Sequence, residues 1–139
     1  MIRLLFVDDE LHTHRTLRVV LESGHTILSA YTGAQGVAMA RAEDPDVVLL
    51  DLRLPDRSGI EVLREILEIP LAPPVVMYSG FGDIPVAVEA MRSGAFDFIE
   101  KGADGELGDL GTLAATIRRA ALARAGAQAR GAAAACGAL

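Results

Sequence analysis

The chain carries a single cysteine, Cys136, and one thiol can form neither an intrachain disulfide nor a cysteine zinc set. Nothing calls for an oxidising compartment, so a cytoplasmic setting is expected. Long apolar runs are missing as well: the longest are a few residues, far below the roughly 20 that cross a bilayer. Met1-Ile2-Arg3 opens no signal-peptide pattern, and no membrane association is expected. Excess positive charge is also lacking. Lys and Arg total 13 against 19 Asp and Glu, a formal charge of −6, whereas gripping nucleic-acid phosphates needs clustered cations. Direct nucleic-acid binding is therefore not expected. Lysine is scarcest of all, with Lys101 the only one.

What is present is apolar enough to fold. Of 139 residues, 51% are hydrophobic and 23% charged, which suits one globular domain with one core and no room for a second. Short apolar runs alternate with segments of helical period, the pattern of a parallel sheet covered by helices on both faces. Five strand-then-helix units follow one another. The strands are read at Ile2–Val7, Thr26–Ala30, Asp46–Leu50, Pro74–Ser79 and Phe96–Glu100. The first helix places Leu17, Val20 and Leu21 on one side and stops at Gly24. Thr32 with Gln35, and Ser58 with Glu61, have capping-box spacing at the second and third helices. Ile60, Leu63 and Leu67 share a face of the third. Asp83 is a good N-cap and Pro85 is tolerated in the first turn of the fourth, which runs through Val88 and Met91 to Gly94. The fifth helix carries Leu110, Leu113 and Ile117.

The domain is read as residues 1–124. Residues 125–139, rich in Ala and Gly with no apolar stripe, read as a disordered or frayed tail, although alanine can prolong a helix. Arg118, Arg119 and Arg124 read as a solvated helix face near a carboxyl end. His12, His14 and His25 form no ligand set and read as surface and helix positions.

Ligands of open parallel sheets bind beyond the carboxyl ends of the strands. The polar residues expected there are Asp8-Asp9-Glu10 after strand 1, Asp51 after strand 3, Ser79-Gly80 at strand 4 and Lys101 after strand 5. If Asp8, Asp9 and Asp51 were ionised about 5 Å apart, each pair would repel by roughly 3 kcal/mol. Three such pairs approach the whole stability of a domain, so the cluster needs a cation. Carboxylate oxygens without His or Cys neighbours suit magnesium. Lys101 adds a second, mobile positive charge.

These segments resemble the receiver domain of two-component response regulators. The likeness spans about residues 2–122 and rests on LFVDDE, DVVLLDLRLPDRSG, VVMYSG and FDFIEK, in that order. GDIPVAVEAMRSGAFDFIEK is similar to receivers of nitrogen-fixation and nitrogen-regulation transcription factors. The resemblance implies an α/β, doubly wound, five-stranded parallel sheet in the flavodoxin-like order 2-1-3-4-5. It implies that Asp51 takes a phosphoryl group from a phosphohistidine, and that Asp8, Asp9, Asp51 and the backbone carbonyl of Arg53 hold Mg2+. Ser79 and Lys101 then bind oxygens of the acyl phosphate, and Phe98 matches the family's aromatic switch. By residue type alone Phe98 is a core aromatic. Implied partners are a sensor histidine kinase or phosphotransfer protein, a downstream effector or missing output domain, and a second copy as homodimer. The implied chemistry is phosphorylation and dephosphorylation of the chain itself, with no metabolic substrate.

Two positions depart from the family. Gly102 stands where a proline usually follows the lysine, and a non-proline cis peptide, which costs about 2.5–4 kcal/mol, is not expected there. Phe81, two residues after Ser79, places a bulky ring where it would limit water's access to an acyl phosphate and slow self-hydrolysis. A competing reading is a receiver-shaped binding module whose output is independent of phosphorylation. A flavin protein or aspartate-nucleophile phosphatase is disfavoured, because Asp8-Asp9-Glu10 would repel a phosphate where flavodoxins cradle one, and the phosphatase pattern of a nucleophilic Asp with a second Asp two residues later on strand 1 is absent.

Overall fold

The computed structural model describes residues 1–80, 84–102 and 107–137, with side chains described to residue 129. Ten elements alternate: β1 Ile2–Val7, α1 Leu11–Val20, β2 His25–Ala30, α2 Gly33–Glu43, β3 Val47–Asp51, α3 Gly59–Leu67, β4 Val75–Ser79, α4 Ile84–Arg92, β5 Asp97–Glu100 and α5 Leu110–Gly137. All strand pairs are parallel, in the order β2-β1-β3-β4-β5. The expected fold class and strand order are the ones observed.

Strand alternation sorts the core into two layers. Leu5, Val7, Val48, Leu50, Val75 and Met77 meet the buried residues of α2 and α3. Leu4, Phe6, Val47, Leu49, Val76 and Tyr78 meet Leu17 and Leu21 of α1 and Leu113 and Ile117 of α5. Because β1, β3 and β4 are covered on both sides, their sequences are continuously apolar rather than alternating.

Local signals bound α2, α3 and the end of α4 where expected. Thr32 Oγ1 accepts the Gln35 N–H at 3.1 Å, and Gln35 Oε1 returns to the Tyr31 N–H rather than to that of Thr32. Ser58 Oγ accepts the Glu61 N–H at 3.3 Å. Gly94, at φ 107°, takes the left-handed conformation that closes α4, whereas α1 ends at Val20 with Leu21 as its cap, and Gly24, at φ 83°, turns the chain into β2. The expected cap Asp83 lies outside the described residues.

Other expectations are corrected. Val20 is 37% exposed while Leu17 and Leu21, spaced i and i+4, are buried; the stripe of α1 is narrower than the sequence pattern implied. Arg124 is buried, not solvated: its guanidinium reaches the Asp44 carboxylate, the Pro45 carbonyl at 2.6 Å and Asp46 at 3.6 Å, tying α5 to the turn before β3. His14 is on α1 but fully inside rather than on the surface. The helix α5 also continues through the segment read as a tail, as alanine's high helix propensity allows. No helix among the described residues is long and apolar enough to cross a membrane.

Candidate phosphoryl-acceptor site

The sheet order reverses between β1 and β3, since β1 pairs with β2 on one side and β3 on the other. Side chains leaving the carboxyl ends of those two strands therefore face one crevice. Asp8 follows β1 and Asp51 ends β3. Oxygens of Asp8, Asp9 and Asp51 all lie within 4.8 Å of one another. Asp8 and Asp51 are buried and Asp9 is exposed. Lys101, just past β5, extends into the same crevice, its Nζ 3.0 Å from Asp8 Oδ2 and 3.4 Å from Asp51 Oδ2. The ammonium also stands 5.3 Å from the centroid of the Tyr78 ring, a cation–π contact.

Burial resists the charge on Asp51 and pushes its carboxyl up to about 6; Lys101 opposes the rise, Asp8 adds to it, and the Arg53 main-chain N–H opposes it. Burial works against the charge on Lys101 too, but Asp51 and Asp8 outweigh it and hold the ammonium above the ordinary lysine value. One cation thus serves two buried carboxylates, and the third, Asp9, has no such partner among the described ion pairs. The donor set fits a small hard cation. It is all carboxylate oxygen, and oxygens across an octahedral magnesium lie about 4.2 Å apart, so a cluster within 4.8 Å closes on such an ion by small rotations.

The remaining expected residues sit around this centre. Ser79 is buried at the end of β4, one step beyond Tyr78, the strand partner of Asp51. Its carbonyl accepts the Lys101 N–H at 2.6 Å, which holds the start of the β5–α5 loop against β4. Arg53 bridges to Ser58 across the loop after β3. Phe98, paired with Met77, is half-buried, packs on the α2/α3 side of the core and lines a cleft of about 460 Å³ with Val88 and Met91 of α4. Gly102 is described, and cis peptide bonds are absent among the described residues. Phe81 lies outside them.

The sequence matches the family described as "Response regulator receiver domain" over residues 4–109. The chain belongs to that family. This receiver is 38% identical over 100 residues to the C4-dicarboxylate transport transcriptional regulatory protein DctD of Pseudomonas aeruginosa, covering 71% of this chain and 22% of that protein. It is 38% identical over 96 residues to the transcriptional regulatory protein FixJ of Rhizobium meliloti, covering 68% and 47%. Among solved structures it superposes on a receiver domain from Clostridium thermocellum with a TM-score of 0.79 at 28% identity, covering 89% and 97% of the two chains. On NtrX of Brucella abortus the TM-score is 0.81 at 31% identity, covering 94% and 29%. The chain spans less than half the length of these curated relatives.

Sequence reasoning missed several residues that shape the receiver's site. Tyr78 read as one more apolar strand residue; its pairing with Asp51 and its contact with Lys101 appear only in the folded sheet. Gly59 brings α3 against the Asp51 backbone: a Cβ there would stand 2.5 Å from the Asp51 carbonyl oxygen and 2.7 Å from Leu52 Cα. Asp56 caps a different helix, accepting the Gly33 and Ala34 N–H groups of α2 at 2.8 and 3.0 Å. These bonds hold its carboxyl below the usual carboxylate range. Nothing local in the sequence announces that long-range cap.

Proposed function

We propose that this receiver takes a phosphoryl group onto Asp51 from the phosphohistidine of a sensor histidine kinase or phosphotransfer protein. An Asp51 carboxylate oxygen attacks phosphorus in line, the phosphorus–nitrogen bond breaks, and the leaving imidazole takes up a proton. The observation that carries this reading is the convergence of Asp8, Asp9 and Asp51 with Lys101 at the strand-order reversal. Phosphoryl transfer asks the protein mainly for positioning and neutralisation of charge, and this crevice holds the groups for both.

Asp8, Asp9, Asp51 and the Arg53 carbonyl are the residues that would hold Mg2+, which when bound supplies charge neutralisation at the phosphoryl oxygens. Lys101 moves from its two carboxylates to a phosphoryl oxygen, and the Ser79 hydroxyl donates to another. Ser79 and Phe98 then rearrange, and the surface of α4, β5 and α5 changes for a downstream effector, an output domain or a second copy. Water later attacks the acyl phosphate and restores Asp51, so no metabolite is turned over.

Incubation with Mg2+ and acetyl phosphate is expected to add one phosphate, located at Asp51 by mass spectrometry. Asp51→Asn and chelation of the metal should each abolish it; labelling that survives Asp51→Asn refutes the assignment. Output independent of phosphate is not favoured. It would require wild type and Asp51→Asn to bind a partner equally.

A further inference from the structure

One side of the acidic centre is held by a chain of hydrogen bonds that the phosphoryl chemistry above does not use. His14, on α1, is 1% exposed and lies between the rings of Phe6 and Tyr31, each with its centroid 4.5 Å away. Its Nε2 is 2.7 Å from the main-chain oxygen of Asp8, and its Nδ1 is 2.9 Å from Ser29 Oγ. Arg18 Nη2 is 2.8 Å from the same Ser29 oxygen.

The ends of this chain dictate its direction. A guanidinium only donates and a carbonyl only accepts. Nε2–H therefore donates to Asp8, Ser29 Oγ accepts from Arg18, and in the neutral imidazole the serine hydroxyl donates to the bare Nδ1. The imidazole is held as the neutral Nε2–H tautomer, in keeping with the burial that lowers its basicity.

What His14 grips matters more than its own state. The Asp8 carbonyl belongs to the peptide plane that joins Asp8 to Asp9, the two neighbouring acids of the cluster. The rest of Asp8 is already tied: its N–H donates to the Ala30 carbonyl, Oδ1 accepts from the Glu10 N–H at 2.8 Å, and Oδ2 faces Lys101. His14 supplies the remaining restraint, on the plane that sets how the Asp9 carboxylate stands relative to that of Asp8.

We propose that His14 is a positioning residue for the divalent-cation site, fixing the Asp8–Asp9 peptide through its Nε2–H. Without that bond the plane is free to rotate, and the cation must pay to order it. The inference rests on the phosphoryl-acceptor reading, but its test does not use phosphoryl transfer.

The test measures Mn2+ affinity of unphosphorylated protein by calorimetry at neutral pH. His14→Leu, which removes both bonds, should weaken binding about tenfold, the lower end of what such outer partners carry, while His14→Gln, which keeps a donor near Nε2, stays within about threefold of wild type. Imidazole nitrogen shifts should report the neutral Nε2–H tautomer in wild type, and Ser29→Ala should both weaken binding and let that tautomer preference relax. Should His14→Leu fail to fold, the Ser29→Ala and tautomer measurements decide. Wild-type affinity in His14→Leu, an equal loss in His14→Gln, or Ser29→Ala matching wild type in both readouts overturns the proposal. Those outcomes leave Asp51 labelling intact, whereas failure of the phosphoryl reading appears as wild-type protein unlabelled at Asp51.

Discussion

Asp51 is an acid placed where burial opposes its charge, and the cost can be read from stability. Its carboxyl lies at about 6 in the folded chain against 3.8 ordinarily. Between those values the folded state binds the proton more tightly than the unfolded state, so stability falls as pH rises through that window and levels off above about 6. Asn cannot ionise. In metal-free buffer Asp51→Asn should therefore exceed wild type at pH 7.5 by on the order of 1–3 kcal/mol, with the gap closing toward pH 4. Urea denaturation across pH checks this; a gap that widens on acidification would reverse the sign. Added Mg2+ should narrow the gap by stabilising wild type alone. At this scale the sequence was legible where an acid ends an apolar run, as at Asp8 and Asp51. It was silent for Tyr78 and His14, whose roles come from what they touch.

Elements carry a different constraint, since the Asp51 loop works only if α3 starts close beneath it. Gly59 N–H donates to the Leu52 carbonyl at 2.7 Å, and the atoms a Cβ would meet are main chain, which cannot swing aside as a flexible side chain can. Gly59→Ala is expected to cost roughly 2–3 kcal/mol through overpacking, measured by denaturant midpoint, and to slow Asp51 labelling because the acceptor's own backbone must shift. Labelling at the wild-type rate with full destabilisation would separate the loop's shape from the chemistry. Strands, helix caps at Thr32 and Ser58 and the burial of Leu17 and Leu21 were readable from local pattern. The second cap on α2, from Asp56, was not, because the bond spans 23 residues.

Over the whole molecule, the acceptor crevice and the Arg124 anchor lie at opposite ends of β3. Arg124 joins α5 to Asp44, Pro45 and Asp46 before β3, while Asp51 leaves its other end. Arg124→Met should lose about 1.5–3 kcal/mol, the worth of hydrogen bonds to a charged group, in thermal or urea unfolding. Asp51 labelling should stay near wild type. A large loss of labelling at unchanged stability would mean the two ends communicate.

Alternating apolar and helical segments, and the acids and lysine at strand ends, were determined by sequence alone, because periodicity and polarity act within a few residues of one another. Only the tertiary structure decided which groups share a proton's or a cation's field. Lys101 and Asp8 are 93 residues apart, yet 3.0 Å separates them, and that distance, like the burial of Asp51, Arg124 and His14, depends on strand order and helix packing. Charge cost follows desolvation and separation, and neither exists until the chain has folded.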